Sequence, residues 1–206
     1  MSKVEIVEGA DDRAIAEWIG QRLKAALATT PDEIAITVPG GSTPLPILDR
    51  LAKTRLPWHR ITVWPGDDRI VPEDHPASNL GKIRALLEPA GAQVVPLADD
   101  AQPPHFVLAW LGMGGDGHIA SLFPNTDPRA NDAHAVRRLT PDPLPPEAPF
   151  DRVSLTIPAL VDSDEIMFVI RGGDKRALFD AAVEGAHDLP VARLLRAARR
   201  KVTCFC

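Results

Sequence analysis

The stretch Gly112-Met113-Gly114-Gly115-Asp116-Gly117-His118 closes an apolar run and presents a carboxylate and an imidazole on a glycine-rich loop. Imidazole titrates near neutral pH, so a histidine beside Asp-Gly at the end of a buried strand is a candidate general base. The glycines let the backbone approach a ligand closely. The stretch also satisfies the dinucleotide pattern G-x-G-x-x-G, but it lies mid-chain, and Asp116 and His118 flank its third glycine. No strand ends in an acidic residue about 20 positions later, because Asp132 sits in the polar run Asn131-Asp132-Ala133-His134. Nicotinamide binding is therefore set aside.

Two further stretches follow apolar runs in the same way. In Val38-Pro39-Gly40-Gly41-Ser42-Thr43-Pro44, two glycines allow a tight bend, and the start of the next helix supplies free N–H groups and partial positive charge. Phosphate suits that arrangement, with Ser42 and Thr43 as hydroxyl donors. A plain strand-to-helix turn with a Ser/Thr cap is the alternative. The Gly-Lys-Ser/Thr ending of a P-loop is absent. Asp67-Asp68-Arg69, with His75, Ser78 and Asn79 close behind, reads either as a solvated turn or as groups that orient a base and hold a polar substrate. Arg152 opens a strand-like run, and Lys175 follows Gly172-Gly173. Each would be a routine surface charge by itself. With Gly41, Ser42 and Thr43 they form a clamp for a dianion, Arg as a fork and Lys as a point charge.

The elements that must position these groups alternate in period. Residues 4–7 are short and alternating, and Asp11 can cap a helix to about residue 28 with Ile15, Trp18, Ile19, Leu23 and Leu27 on one face. Residues 34–38 and 61–64 read as strands buried on both faces, with a helix over 44–53 between them. Ser78 is expected to cap a helix to about 87, followed by a short strand over 94–97 and a central one over 106–111. Strands over 152–157, 166–170 and 201–205 and helices over 173–184 and 191–198 complete the pattern. Residues 99–105 and the proline cluster at 141–149 read as surface loops. This alternation predicts an α/β fold, an open, mostly parallel sheet flanked by helices, in one domain over 1–206. In such sheets ligands sit beyond the carboxyl ends of the strands. The three polar loops are therefore expected at one edge.

Composition narrows the class. The chain has 206 residues with 23 Lys plus Arg against 28 Asp plus Glu, a formal charge of −5. That argues against a nucleic-acid or membrane-surface partner, and no apolar run approaches the roughly 18–20 residues of a membrane span. Met1-Ser2-Lys3-Val4-Glu5 is no signal-peptide stretch, and only Cys204 and Cys206 are present, so the expected compartment is the reduced cytoplasm. No dense His/Cys/Asp cluster suggests a metal, and Ser121 lacks the G-x-S-x-G context of a nucleophile elbow.

In this order the segments resemble the glucosamine-6-phosphate isomerase/6-phosphogluconolactonase family. Gly40 to Pro44 matches its Gly-Gly-Ser-Thr-Pro loop, and Trp58 to Arg69 its tryptophan-led strand and acidic turn, followed by Val71-Pro72, His75 and Ser78-Asn79. Leu111 to Pro124 matches its most diagnostic stretch, and Arg152 to Thr156 and Gly172 to Lys175 its later strand and Gly-x-x-Lys element. The deaminases of this fold continue after Asp-Gly-His with Phe-Asn-Glu-Pro, whereas this chain has Ser121-Leu122-Phe123-Pro124, which favours the lactonase branch. The resemblance implies hydrolysis of 6-phospho-D-glucono-1,5-lactone to 6-phospho-D-gluconate in the pentose phosphate route, with no cofactor or metal. His118 would be the base, Asp67 or Asp116 its orienting group and Arg69 the cation facing the oxyanion. Gly41, Ser42, Thr43, Arg152 and Lys175 would hold the phosphate. The expected partner is thus a small phosphorylated sugar lactone, with monomer and dimer both open. Sugar-phosphate isomerisation or deamination and a non-catalytic sugar-phosphate-binding module are the rival readings. The chain departs from the family pattern at Asp68, usually glutamate, at Gly115, often proline, in a short 95–106 segment and in an early end after the last strand.

Overall fold

The computed structural model describes residues 4–146 and 148–206. Strand β1 (Val4–Val7) leads into helix α1 (Asp12–Thr29), whose N-cap Asp11 accepts a hydrogen bond from the Ala14 N–H at 2.7 Å. Ile15, Ala16, Ile19, Leu23 and Leu27 form its buried stripe. β2 (Ile34–Val38), α2 (Pro44–Ala52), β3 (Ile61–Pro65) and β4 (Asp67–Arg69) follow. Next come α3 (Asn79–Leu87), β5 (Gln93–Val94), β6 (Leu108–Leu111) and β7 (Val136–Leu139). The chain finishes with β8 (Arg152–Leu155), α4 (Ile157–Val161), β9 (Glu165–Val169), α5 (Gly173–Glu184), α6 (Pro190–Ala197) and β10 (Lys201–Phe205).

Seven strands form a parallel sheet in the order β1-β10-β9-β6-β2-β3-β5. The apolar sides of α1, α2 and α3 pack on one face of it and those of α4, α5 and α6 on the other. Every residue of β2 is buried, as the unbroken run Ile-Ala-Ile-Thr-Val requires of a strand covered on both faces. The chain runs outward from β2 through β3 to β5 and then returns to β6 on the other side of β2, before continuing to β9. The β2–β6 boundary is therefore a switch point, where loops leave the strand ends in opposite directions and open a crevice.

A second sheet of three antiparallel strands, β4-β8-β7, stands beside the crevice. It corrects the sequence reading in three places. Asp67-Asp68-Arg69, taken for a loop, is strand β4, because its backbone pairs with β8 and places Arg69 opposite Arg152. The strand expected over 152–157 ends at Leu155, belongs to the small sheet, and gives way at Ile157 to α4. Strand β7, with two arginines at its centre, was not expected at all. Two others are shorter than predicted. The strand at 94–97 reduces to Gln93–Val94, and the one at 106–111 starts at Leu108, with Phe106 making an isolated bridge to Ser163.

Candidate active site

Three loops leave adjacent parallel strands, the 40–43 turn after β2, the 112–118 loop after β6 and the 171–175 segment after β9. Together with β4 and β8 they enclose a cavity of about 360 Å3 lined by Ser42, Thr43, Arg69, His118, Arg152 and Lys175 among others. In the first loop Gly41 has φ +97°, a conformation that favours glycine. Thr43 stands at the N-cap of α2 without a side-chain cap bond. The hydroxyl-capped turn is therefore not what forms here. Because Pro44 and Pro46 carry no N–H, Leu45 is the one residue among the first three of α2 that has an N–H to offer an acceptor, fewer donors than the sequence reading expected.

In the second loop the His118 imidazole is half-buried and its Nδ1 lies 2.6 Å from Asp116 Oδ1. The same oxygen accepts the His118 backbone N–H at 3.1 Å. The imidazole hydrogen bond, more than any other cause, holds the Asp116 carboxyl below its ordinary value. A carboxylate only accepts, so the neutral ring carries its proton on Nδ1 and keeps a lone pair on Nε2. Phe123 packs against the ring, centroids 4.4 Å apart. Bonds from Gly114 N–H to His118 O and from Val191 N–H to Gly117 O hold the loop to itself and to the start of α6.

The other candidate carboxylate is engaged elsewhere. Asp67 is buried and accepts from Ser121 Oγ at 2.5 Å and from Asn79 Nδ2 at 3.4 Å. Burial raises its carboxyl, partly opposed by the Ser121 bond and by the Arg69 charge. Of the two carboxylates left open as the partner of His118, Asp116 is the one in contact. Asp68 plays a third part. Its oxygens accept from the Asn79 and Leu80 N–H groups at 2.6 and 3.0 Å and from Ser78 Oγ at 3.3 Å, so it clamps the start of α3. Arg69 donates to Ala77 O at 2.7 Å and to Asn79 Oδ1 at 3.3 Å. Arg152 is only 2% exposed, donates to Ala148 O at 2.7 Å, and is lowered from its ordinary value first by burial and then by Arg69. Arg152 Nη1 and Arg69 Nε are both buried without a partner among the described residues. Such donors are costly unless an acceptor arrives.

Comparisons with known proteins show the family to which this fold belongs. The family of glucosamine-6-phosphate isomerases/6-phosphogluconolactonase matches residues 10–204. This chain belongs to that family. A 6-phosphogluconolactonase of Caulobacter vibrioides is 36% identical, over 82% of this chain and 81% of its own length. One from Pseudomonas aeruginosa is 35% identical, over 90% and 87%. The crystal structure of 6-phosphogluconolactonase from Thermotoga maritima superposes with a TM-score of 0.83 at 27% identity, covering 98% of this chain and 99% of that one.

Within this member of the isomerase/lactonase family, four contributors to the site escaped the sequence reading. Asn79, seen only as part of a motif, joins Asp67 to Arg69 and packs so closely on Gly40 that a Cβ there would fall 1.9 Å from its Oδ1. Ser121, weighed only as a nucleophile, is the Asp67 partner. Arg171 and Trp110 also line the cavity. Arg171 shared the signal that exposed the other loops, a polar residue directly after a buried strand. Trp110 had none, because inside an apolar run it reads as core.

Proposed function

We propose that this chain hydrolyses 6-phospho-D-glucono-1,5-lactone to 6-phospho-D-gluconate, the cytoplasmic lactone-opening step of the pentose phosphate route. A lactone is an activated ester, so the demands are modest: grip the phosphate, position a water, take its proton and stabilise the oxyanion. In this reading Nε2 of His118 takes a proton from water as the oxygen attacks the ring carbonyl. Asp116 keeps the imidazole in the required tautomer and steadies the imidazolium that forms. When the tetrahedral intermediate collapses, the ring C–O bond breaks and the imidazolium returns the proton to the departing sugar oxygen. Arg69 and the N–H groups of the 112–118 loop face the developing charge. Gly41, Ser42, Thr43, Arg152 and Lys175 hold the phosphate. Asp67 acts indirectly, by fixing Ser121, Asn79 and the Arg69 side.

The observation that carries the reading is the shared cavity, in which a carboxylate-paired imidazole meets the glycine and hydroxyl turn at 40–43 and a set of arginine and lysine side chains. The test is to generate the lactone with a dehydrogenase and follow acid release with and without the protein. Catalysed release above the spontaneous rate is expected. Ammonia release from glucosamine 6-phosphate without lactone hydrolysis would overturn it in favour of deamination. Binding of phosphosugars with no turnover would leave only a sensor.

A further inference from the structure

One residue that lines the cavity carries a donor that no step above uses. Trp110 lies on β6, between β2, which leads to the 40–43 turn, and β9, which leads to Arg171 and Lys175. It is 1% exposed, it lines the cavity, and its indole Nε1–H has no partner among the described residues. A buried N–H without an acceptor is unfavourable, and the cavity is the space that the Trp110 side chain lines. An indole N–H can only donate, so it discriminates for a group that can only accept. An ionised phosphate oxygen is such a group, whereas a sugar hydroxyl must also place its own proton.

We propose that Trp110 is a further specificity-determining residue, whose indole N–H donates to a phosphate oxygen of the substrate. This rests on the lactonase reading for its substrate, and on the cavity alone for its anion. Hydrogen bonds to charged acceptors are among the strong ones, so Trp110→Phe, which keeps an aromatic ring and removes the N–H, should raise KM for the phosphorylated lactone by about tenfold. Its kcat should stay within about twofold, because the phosphate is remote from the reacting carbonyl. The penalty should be missing for unphosphorylated glucono-1,5-lactone. An equal loss on both lactones, or an unchanged KM, would reduce Trp110 to packing.

A second measurement uses the unaltered protein. With 15N-labelled tryptophan the four tryptophans give four indole N–H signals. Titration with inorganic phosphate should shift the Trp110 signal and leave those of Trp18, Trp58 and Trp64 in place. No shift at saturating phosphate would overturn the proposal even if Trp110→Phe failed to fold. Since this titration needs no turnover, a protein that binds phosphate at Trp110 but hydrolyses no lactone would refute the function and keep the donor.

Discussion

At the scale of single residues, the position of His118 depends on how closely its neighbours are seated around it. Gly114 is the sharpest case. A Cβ there would lie 2.1 Å from the His118 ring atoms Nδ1 and Cε1 and 2.7 Å from Asp116 Oδ1. Since the imidazole can swing away more easily than the backbone, Gly114→Ala should fold but misplace the base. Displacements of about 1 Å can cost about 10²-fold in rate, so kcat should fall by about that factor while Tm barely moves. Wild-type kcat in a folded variant would show that the observed imidazole position is not the working one. The sequence made His118, Asp116, Arg69 and the 40–43 turn legible, because each follows an apolar run and strand ends gather at one edge. It could not choose between Asp67 and Asp116. That choice depends on the direction of two side chains, one on strand β4 and one on the 112–118 loop, and on Ser121, 54 positions from Asp67 along the chain, which donates to the Asp67 carboxylate.

Among elements, α3 shows a carboxylate serving the fold while sitting next to the site. Asp68 accepts the first N–H groups of the helix, which otherwise have no intrahelical partner. Asp68→Ala leaves them buried and unmet. The cost should be about 2 kcal/mol, lowering Tm by about 4–8 °C for a chain of this size in thermal unfolding. An unchanged Tm would mean that Ser78 alone suffices. A second element-scale device joins the approach to β6 to that of β9, where His105 contacts Asp162 at 2.7 Å and Asp164 at 3.2 Å. The Asp162 hydrogen bond is the main cause that raises the imidazole above its ordinary value. Its contribution to stability is therefore complete below that ordinary value and is lost as pH rises through the raised one. Wild type should lose Tm relative to His105→Gln across neutral and mildly alkaline pH, and parallel Tm curves would rule this out. The parallel sheet was readable from periodicity, yet the small sheet was not. β4 is three charged residues, β7 has two arginines at its centre, and their strand character comes from pairing with β8 rather than from their own apolar pattern. The run at 152–155 announced a strand without saying which sheet it would join.

For the whole molecule, the division of labour follows from two sheets meeting at one crevice. The parallel sheet contributes the 40–43 turn and His118, after β2 and β6 on either side of the switch point. The antiparallel sheet contributes Arg69 and Arg152 as register partners. A chain with a formal charge of −5 thereby concentrates Arg69, Arg152, Arg171 and Lys175 around one cavity, which explains how an acidic protein can receive an anionic substrate. The central claim is that this cavity grips the phosphate and brings the ring carbonyl to one imidazole, so binding and chemistry should separate when the imidazole alone is changed. The most direct measurement is steady-state hydrolysis of freshly generated 6-phosphogluconolactone by His118→Gln, with 6-phosphogluconate binding followed in parallel. The expected result is a kcat lower by about 10²–10⁴ with product binding largely kept. Near wild-type turnover by that variant would contradict it.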